Sequence, residues 1–518
     1  MLTPNGHPAN KIEKVMLLSM WANTLQEEIA QQSTMNTKRL LTAGLGKPTY
    51  PINSHTISSY LNYWQKMSDL TKRWYLNPEE HESSAIDYGD PRGDLEPRVL
   101  MSDVMSKWYE SDIKPDHILF TVGGIGALRV IFETFNTHYD DTPGYRVITP
   151  FPHYSAYSNN PMHRLHPIEV MDVPGYKLTA KAVEKSIKEA YELAASDHGL
   201  PKAILICNPS NPLGTVIDAV EMKAIAKVLR RYPDLYIILD EAYAEMCYVE
   251  LPSFLKIAPD LKKRMIIMRS ATKALSAAGE RMAILMVFET ALMNEFLNKN
   301  ISYFIHAPRS AQMAYAQTMI NFDDVEKQNL REFYKQKVDY VLNRLNDMSA
   351  NMPDISYTVH ATFYALGNFS DLFGLMLPIE AQRALQKKGK ITTDEELAYY
   401  LLFKDSVMIA PLSYFGLPNN KGFIRITCSG NIQELKELMD RLEYRLFKAR
   451  KKIKLAFLES IMKQLPELKN LDESMYLAII KKMALFSEED TCKSLKTKNE
   501  ILQKIKATIE GILDLSNV

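Results

Sequence analysis

Five short stretches of the chain, 146–149, 203–207, 236–239, 265–268 and 283–288, are apolar without alternation. Unbroken runs of this length predict strands buried on both faces, as in a parallel sheet with crossover helices. A sixth run, 118–122, is β-rich and stops at Gly123-Gly124-Ile125-Gly126, after which 127–135 has helical periodicity. Helical patterns also occupy 95–109, 221–231 and 331–348. The 203-to-236 spacing fits one strand–helix–strand unit.

The rhythm changes at both ends. Ile12, Val15, Met16, Ser19 and Met20 fall at helical spacing beside Trp21, which predicts a helical arm over residues 1–42 of the kind that caps a subunit interface. Residues 43–320 read as a large domain, with 43–85 contributing partly to a smaller one. That smaller domain covers 321–450, with strands at 357–366, 407–410 and 423–427 and an insertion at 371–395. Residues 451–518 are rich in Lys, Glu and Leu at helical spacing, which predicts a helical extension and, through it, an oligomer contact.

Composition narrows the partners. A chain of 518 residues buries a large core in two or three domains. Its 62 Lys and Arg balance 62 Asp and Glu, so no net field draws it to nucleic acid or an anionic membrane. Small molecules and other protein chains remain. Cys207, Cys247, Cys428 and Cys492 are scattered, without metal-like spacing, which predicts a reducing, cytoplasmic setting. The apolar patch at 15–22 is too short to span a bilayer and is followed by Glu27 and Glu28, so neither signal peptide nor membrane segment is expected.

The chemistry-bearing residues sit where the apolar runs end. After 207 comes Asn208-Pro209-Ser210-Asn211-Pro212-Leu213-Gly214-Thr215; after 239 comes Asp240-Glu241-Ala242-Tyr243; after 268 come Ser270 and Lys273, with Arg281 eight residues on. Three polar clusters at neighbouring strand ends predict one site, because ligands of open α/β sheets bind at the carboxyl ends of strands. A lysine fixed at such an end is placed for Schiff-base chemistry, and Ser270 with Arg281 offers a hydroxyl and a planar cationic fork to a phosphate. The glycine cluster at 123–126 adds a helix N-terminus suited to the same anion. The segment Ala43-Gly44-Leu45-Gly46-Lys47 lets backbone approach a ligand closely.

With Asn211, Asp240, Tyr243, Lys273, Arg281 and Arg425 in this order, the chain resembles the class I and II aminotransferases over roughly residues 40–445. The resemblance implies an α/β chain of fold type I, with a mostly parallel central sheet flanked by helices and a smaller α+β domain. It implies pyridoxal 5'-phosphate as cofactor, an L-amino acid and a 2-oxo acid as substrates, and transfer of the amino group through a Lys273 Schiff base. It makes Lys273 anchor and acid/base, Asp240 the partner of the pyridine nitrogen, and Asn211 and Tyr243 the partners of the phenolic oxygen. Tyr154 becomes the stacking aromatic, and Gly124, Ile125, Gly126, Ser270 and Arg281 the phosphate cup. Tyr88 becomes a phosphate ligand supplied across a homodimer, while Arg425, Gly46 and Asn211 receive the substrate carboxylate. The chain departs from the family at Thr272, Ala283 and Ala361, and Ile125 and Gly126 bring no hydroxyl to the phosphate.

The added length keeps a decarboxylase-like or lyase-like reaction on the same fold as the alternative. A cofactor-sensing regulator is disfavoured because the roughly 40 residues before the domain carry no basic bias and no helix-turn-helix pattern. Lys47, His153, Arg309 and Tyr414 lie in segments that face the substrate side chain in this reading.

Overall fold

The computed structural model describes residues 1–462 except 11, 32–37, 78, 80–84, 139–143 and 160–162, with the side chains of 452–462 also left out. Seven strands form the main sheet, in the order Ile118–Val122, Met282–Val287, Met265–Ser270, Tyr236–Asp240, Leu200–Cys207, Tyr145–Phe151 and His163–Glu169. The five inner strands are buried along most of their length, as unbroken apolar runs require.

Two features depart from the sequence reading. Met282–Val287 runs antiparallel to both neighbours. Only residues 271–281 separate it from Met265–Ser270, too few for a helical crossover, so the chain returns by a short turn. The edge strand His163–Glu169 escaped the pattern because it is half-exposed, polar and contains Pro167, a residue that sheet edges tolerate.

Helices fill the connections. Ala180–Asp197 and Ala219–Leu229 are capped by Thr179 and Asp218, whose side chains accept from Ala182 N and Glu221 N. Leu95–Tyr109 forms as its pattern predicts, and Asp324–Asp347 extends the 331–348 pattern upstream to an Asp323 cap. The glycine cluster lies inside the helix Gly123–Thr137 rather than ahead of it.

A second, three-stranded antiparallel sheet is made by Ala410–Pro411, Phe423–Thr427 and Tyr364–Asn368. Its last member starts later than expected, because His360 N and Ala361 N donate to Gly214 O and Tyr357 Oη donates to Leu213 O. Backbone committed to that loop is not free for a sheet ladder. Leu41–Thr42 pairs with Val407–Met408, which ties the start of the chain to its second half. Within 371–395 lies a short helix, Ile379–Leu385.

The arm contains the helix Lys14–Gln31, but its core-facing residues are Leu17, Leu18, Trp21 and Ala22, together with Ser19. Met16 and Met20 are exposed, which corrects the expected face. The C-terminal helix runs Ile432–Met462, and the rest of the predicted extension lies outside the described residues.

Candidate functional site

Three carboxyl-terminal strand ends and two loops enclose a cavity of about 450 Å³. Register explains the convergence: Cys207 pairs with Asp240, and Asp240 with Met268, so the residues following each strand emerge side by side. Gly46, Gly124, Ile125, Tyr154, Asn211, Asp240, Tyr243, Ser270, Lys273, Arg281 and Arg425 all line it.

Lys273 Nζ donates to Gly46 O at 2.6 Å. Burial, followed by the positive fields of Arg425 and Arg281, pushes its pKa down to about 8, while Asp240 opposes the shift. Gly46 has no room for a side chain, since a Cβ there would lie 2.2 Å from the Tyr364 hydroxyl.

Asp240 is buried, and both its oxygens accept hydrogen bonds, Oδ2 from the Tyr157 hydroxyl at 2.6 Å and Oδ1 from Ala242 N at 3.1 Å. Burial raises its pKa and the Tyr157 bond works against the rise. The Tyr243 hydroxyl meets the Tyr364 hydroxyl at 2.7 Å.

Arg425 is held on several sides. Nη1 donates to Asn211 Oδ1 and Nη2 to Gly44 O, both at 2.9 Å. The guanidinium carbon lies 4.1 Å from the Tyr364 ring centroid and 4.5 Å from that of Phe415. Its Nε is buried with no partner, a donor awaiting an acceptor.

The anion end is equally defined. Arg281 lies over the start of the Gly123–Thr137 helix, where a Cβ on Gly123 would come within 2.6 Å of its Nη2. Gly123 has φ +67° and donates its N–H to Arg281 O at 3.0 Å. The first turn leaves the N–H groups of Gly124 and Ile125 without intrahelical acceptors, beside Ser270 and Arg281. The Ser270 hydroxyl is 2.7 Å from that of Thr272.

Two expected residues lie elsewhere. Gly126 sits past the free first-turn donors and faces Val122 and Phe304. Tyr88 is 75% exposed, in a separate cleft with Trp64, His306 and Arg309. Arg309 is bound there to Asp94 at 2.7 Å, away from the cavity, whereas Lys47 lines it. His153 and Tyr414 line an adjoining cavity.

Sequence reasoning assigned no role to Tyr157, Tyr364, Phe415 or Cys207, which complete the lining or its support. Tyr157 stands three residues after Tyr154, and Tyr364 lies in the expected strand 357–366 three residues after Ala361, so proximity was the available signal.

The donor set fits pyridoxal 5'-phosphate. A half-buried lysine, a buried carboxylate and an anion cradle closed by Gly123 and Arg281 are what its aldehyde, ring nitrogen and phosphate require.

Comparison with known proteins gives the family and the fold. The profile of aminotransferase class I and II matches residues 57–442. An aspartate/prephenate aminotransferase of Nitrosomonas europaea is 24% identical over 348 residues, covering 64% of this chain and 77% of the relative. An aspartate aminotransferase of Rhizobium meliloti is 24% identical over 335 residues, covering 61% and 72%. The crystal structure of the aspartate aminotransferase from Rhizobium meliloti superposes with a TM-score of 0.66 at 21% identity, over 85% of this chain and 98% of that one.

Proposed function

The chain belongs to the class I and II aminotransferase family, and from that premise we propose that it moves the amino group of an L-amino acid to a 2-oxo acid with pyridoxal 5'-phosphate as cofactor. The observation that carries this is the meeting of Lys273, Asp240 and Arg425 on one cavity. When bound, the cofactor supplies an aldehyde that takes up the amino group and a protonated ring that draws electrons from the α-carbon.

Each residue then has a defined task. Lys273 Nζ, with its pKa near 8, takes the substrate's α-proton and returns it on the other side of the transfer. Asp240, held at both oxygens, keeps a proton on the ring nitrogen. Asn211 and Tyr243 hydrogen-bond the phenolic oxygen, and Tyr154 stacks on the ring. Arg425 orients the substrate carboxylate with the donors not given to Asn211 and Gly44. Ser270, Arg281 and the Gly124 and Ile125 N–H groups hold the phosphate, with Gly123 making the turn ahead of them.

We further propose a homodimer. Its support is the exposed apolar surface of Ile57, Leu61, Trp64 and Tyr88 around the cleft that holds Tyr88, the residue expected to reach a partner's phosphate. Among the described residues no helix is long and apolar enough to cross a membrane. The unpaired Cys207, Cys247 and Cys428 favour a reducing cytoplasm. The decarboxylase or lyase alternative has no counterpart in the relatives above, which are named as aminotransferases.

The test is the visible absorbance of the purified protein with pyridoxal phosphate, before and after a panel of amino acids. Wild type is expected to gain a band that one amino acid converts to the pyridoxamine form, and Lys273→Ala to lack it. A wild type that never develops the band defeats the reading.

A further inference from the structure

The cavity has a second chamber beside it. Glu13, Val15 and Ser155 line both the first cavity and a neighbour of about 470 Å³. Glu13 Oε1 accepts from the Ser155 hydroxyl at 2.5 Å, and among the described residues no cation pairs with the carboxylate. Among the described residues, the carboxylate at the seam between the chambers therefore has a hydroxyl partner and no ion-pair partner.

The second chamber continues the same chemistry. His163 donates from Nε2 to Tyr157 O at 2.7 Å, so its Nδ1 holds a lone pair, and that nitrogen is buried without a partner. His153 donates from Nδ1 to Tyr154 O at 2.7 Å, leaving Nε2 as an acceptor. Burial lowers the pKa of both rings, so both stay neutral. Among the described residues, Lys14 pairs with Glu395 at 3.3 Å, and Lys47 stands exposed on the first cavity's lining. Acceptors in such surroundings favour a donor-rich cation and reject an anion.

We propose that the Glu13 seam is the side-chain subsite and that the amino donor ends in an ammonium group, as lysine and ornithine do. The donor's α-carboxylate is held at Arg425, its chain crosses the apolar surface of Val15 and Met16, and its ω-ammonium donates to Glu13. This deepens the aminotransferase reading and rests on it.

The full-length protein with pyridoxal phosphate is mixed with lysine, ornithine, norleucine or glutamate in single turnovers. Norleucine is lysine without the terminal amine. A charge-assisted hydrogen bond predicts kcat/KM for lysine or ornithine about tenfold or more above norleucine. Glu13→Gln brings that ratio toward one, and Glu13→Lys shifts preference to glutamate. Norleucine or glutamate matching the diamino acids in wild type, or a ratio that Glu13→Gln leaves in place, overturns the proposal. Should no donor react, the aminotransferase reading falls, and calorimetry with 6-aminohexanoate against hexanoate still decides the subsite. Tighter binding of the amine, lost in Glu13→Gln, supports it, and equal binding refutes it.

Discussion

The hydroxyl of Tyr157 donates to Asp240 Oδ2 at 2.6 Å, and both residues are buried. Burial favours the neutral form of the carboxyl, and this bond offsets part of that preference by stabilising the anion. Tyr157→Phe removes the donor and keeps the ring, so Asp240 becomes harder to ionise. We expect cofactor affinity and turnover each to fall about tenfold, the worth of one hydrogen bond to a charged group. Spectroscopic titration of the apoprotein with pyridoxal phosphate checks this, and unchanged affinity would show that Ala242 N alone suffices.

Lys273 gives the pH dependence. Its amine attacks an aldehyde only when unprotonated, and its pKa is lowered to about 8 by burial first and then by Arg425 and Arg281. Below that value the ammonium form dominates, and each unit of rising pH exposes roughly ten times more free amine. Cofactor capture by the apoprotein is therefore expected to climb up to about pH 8 and level off above it. Stopped-flow capture rates that keep climbing beyond pH 9 would return Lys273 to an ordinary lysine.

How much of this was visible beforehand depended on what each residue's neighbours in sequence reveal. Asp240, Asn211 and Lys273 stand within about five residues of the ends of unbroken apolar runs, so strand burial and strand-end chemistry coincide in the sequence. The helix Ser54–Leu76 was not singled out, although Ile57, Leu61, Trp64, Met67, Leu70 and Trp74 recur in it at helical spacing. Only Thr56 and Ser59 of it are buried, while Ile57, Leu61 and Trp64 are exposed, so its apolar stripe points away from the core of the chain. The arm misled for a related reason: Val15 and Met16 line the cavity while Leu17 and Leu18 face the core, and one apolar pattern served two surfaces. Tyr157 and Tyr364 act through hydrogen bonds to partners more than 80 residues away, which no local periodicity records.

Gly123 tests the anion cradle. Its φ of +67° suits glycine, and a Cβ would lie 2.6 Å from Arg281 Nη2. Gly123→Ala costs about 1 kcal/mol in backbone strain and displaces the guanidinium. Affinity for pyridoxal phosphate is expected to drop about tenfold while affinity for pyridoxal, which lacks the phosphate, holds. Paired titrations with the two compounds separate these effects, and equal losses for both would mean that Arg281 serves the ring rather than the anion.

Behind the sheet, Arg269 is fully buried and binds Glu245 at 2.5 Å and the Tyr109 hydroxyl at 3.0 Å, while that hydroxyl donates to Glu241 at 2.5 Å. The network joins the two strand ends that present Asp240 and Ser270, since Glu241 and Arg269 are their immediate neighbours in sequence. One cation faces two carboxyls, and burial pushes Glu241 up to about 7, against the Arg269 field. Arg269→Met strands Glu245 without its counter-charge and is expected to cost about 3–5 kcal/mol in urea unfolding. Adding Glu245→Leu should recover part of that loss, because the stranded charge leaves with it. Glu241 adds a pH signature: a carboxyl whose folded pKa is raised contributes stability that is full below its unfolded value and is lost as pH rises through about 7. Wild type should accordingly lose stability relative to Glu241→Gln between pH 5 and pH 8, and parallel pH profiles for the two proteins would show that Arg269 keeps Glu241 ionised throughout.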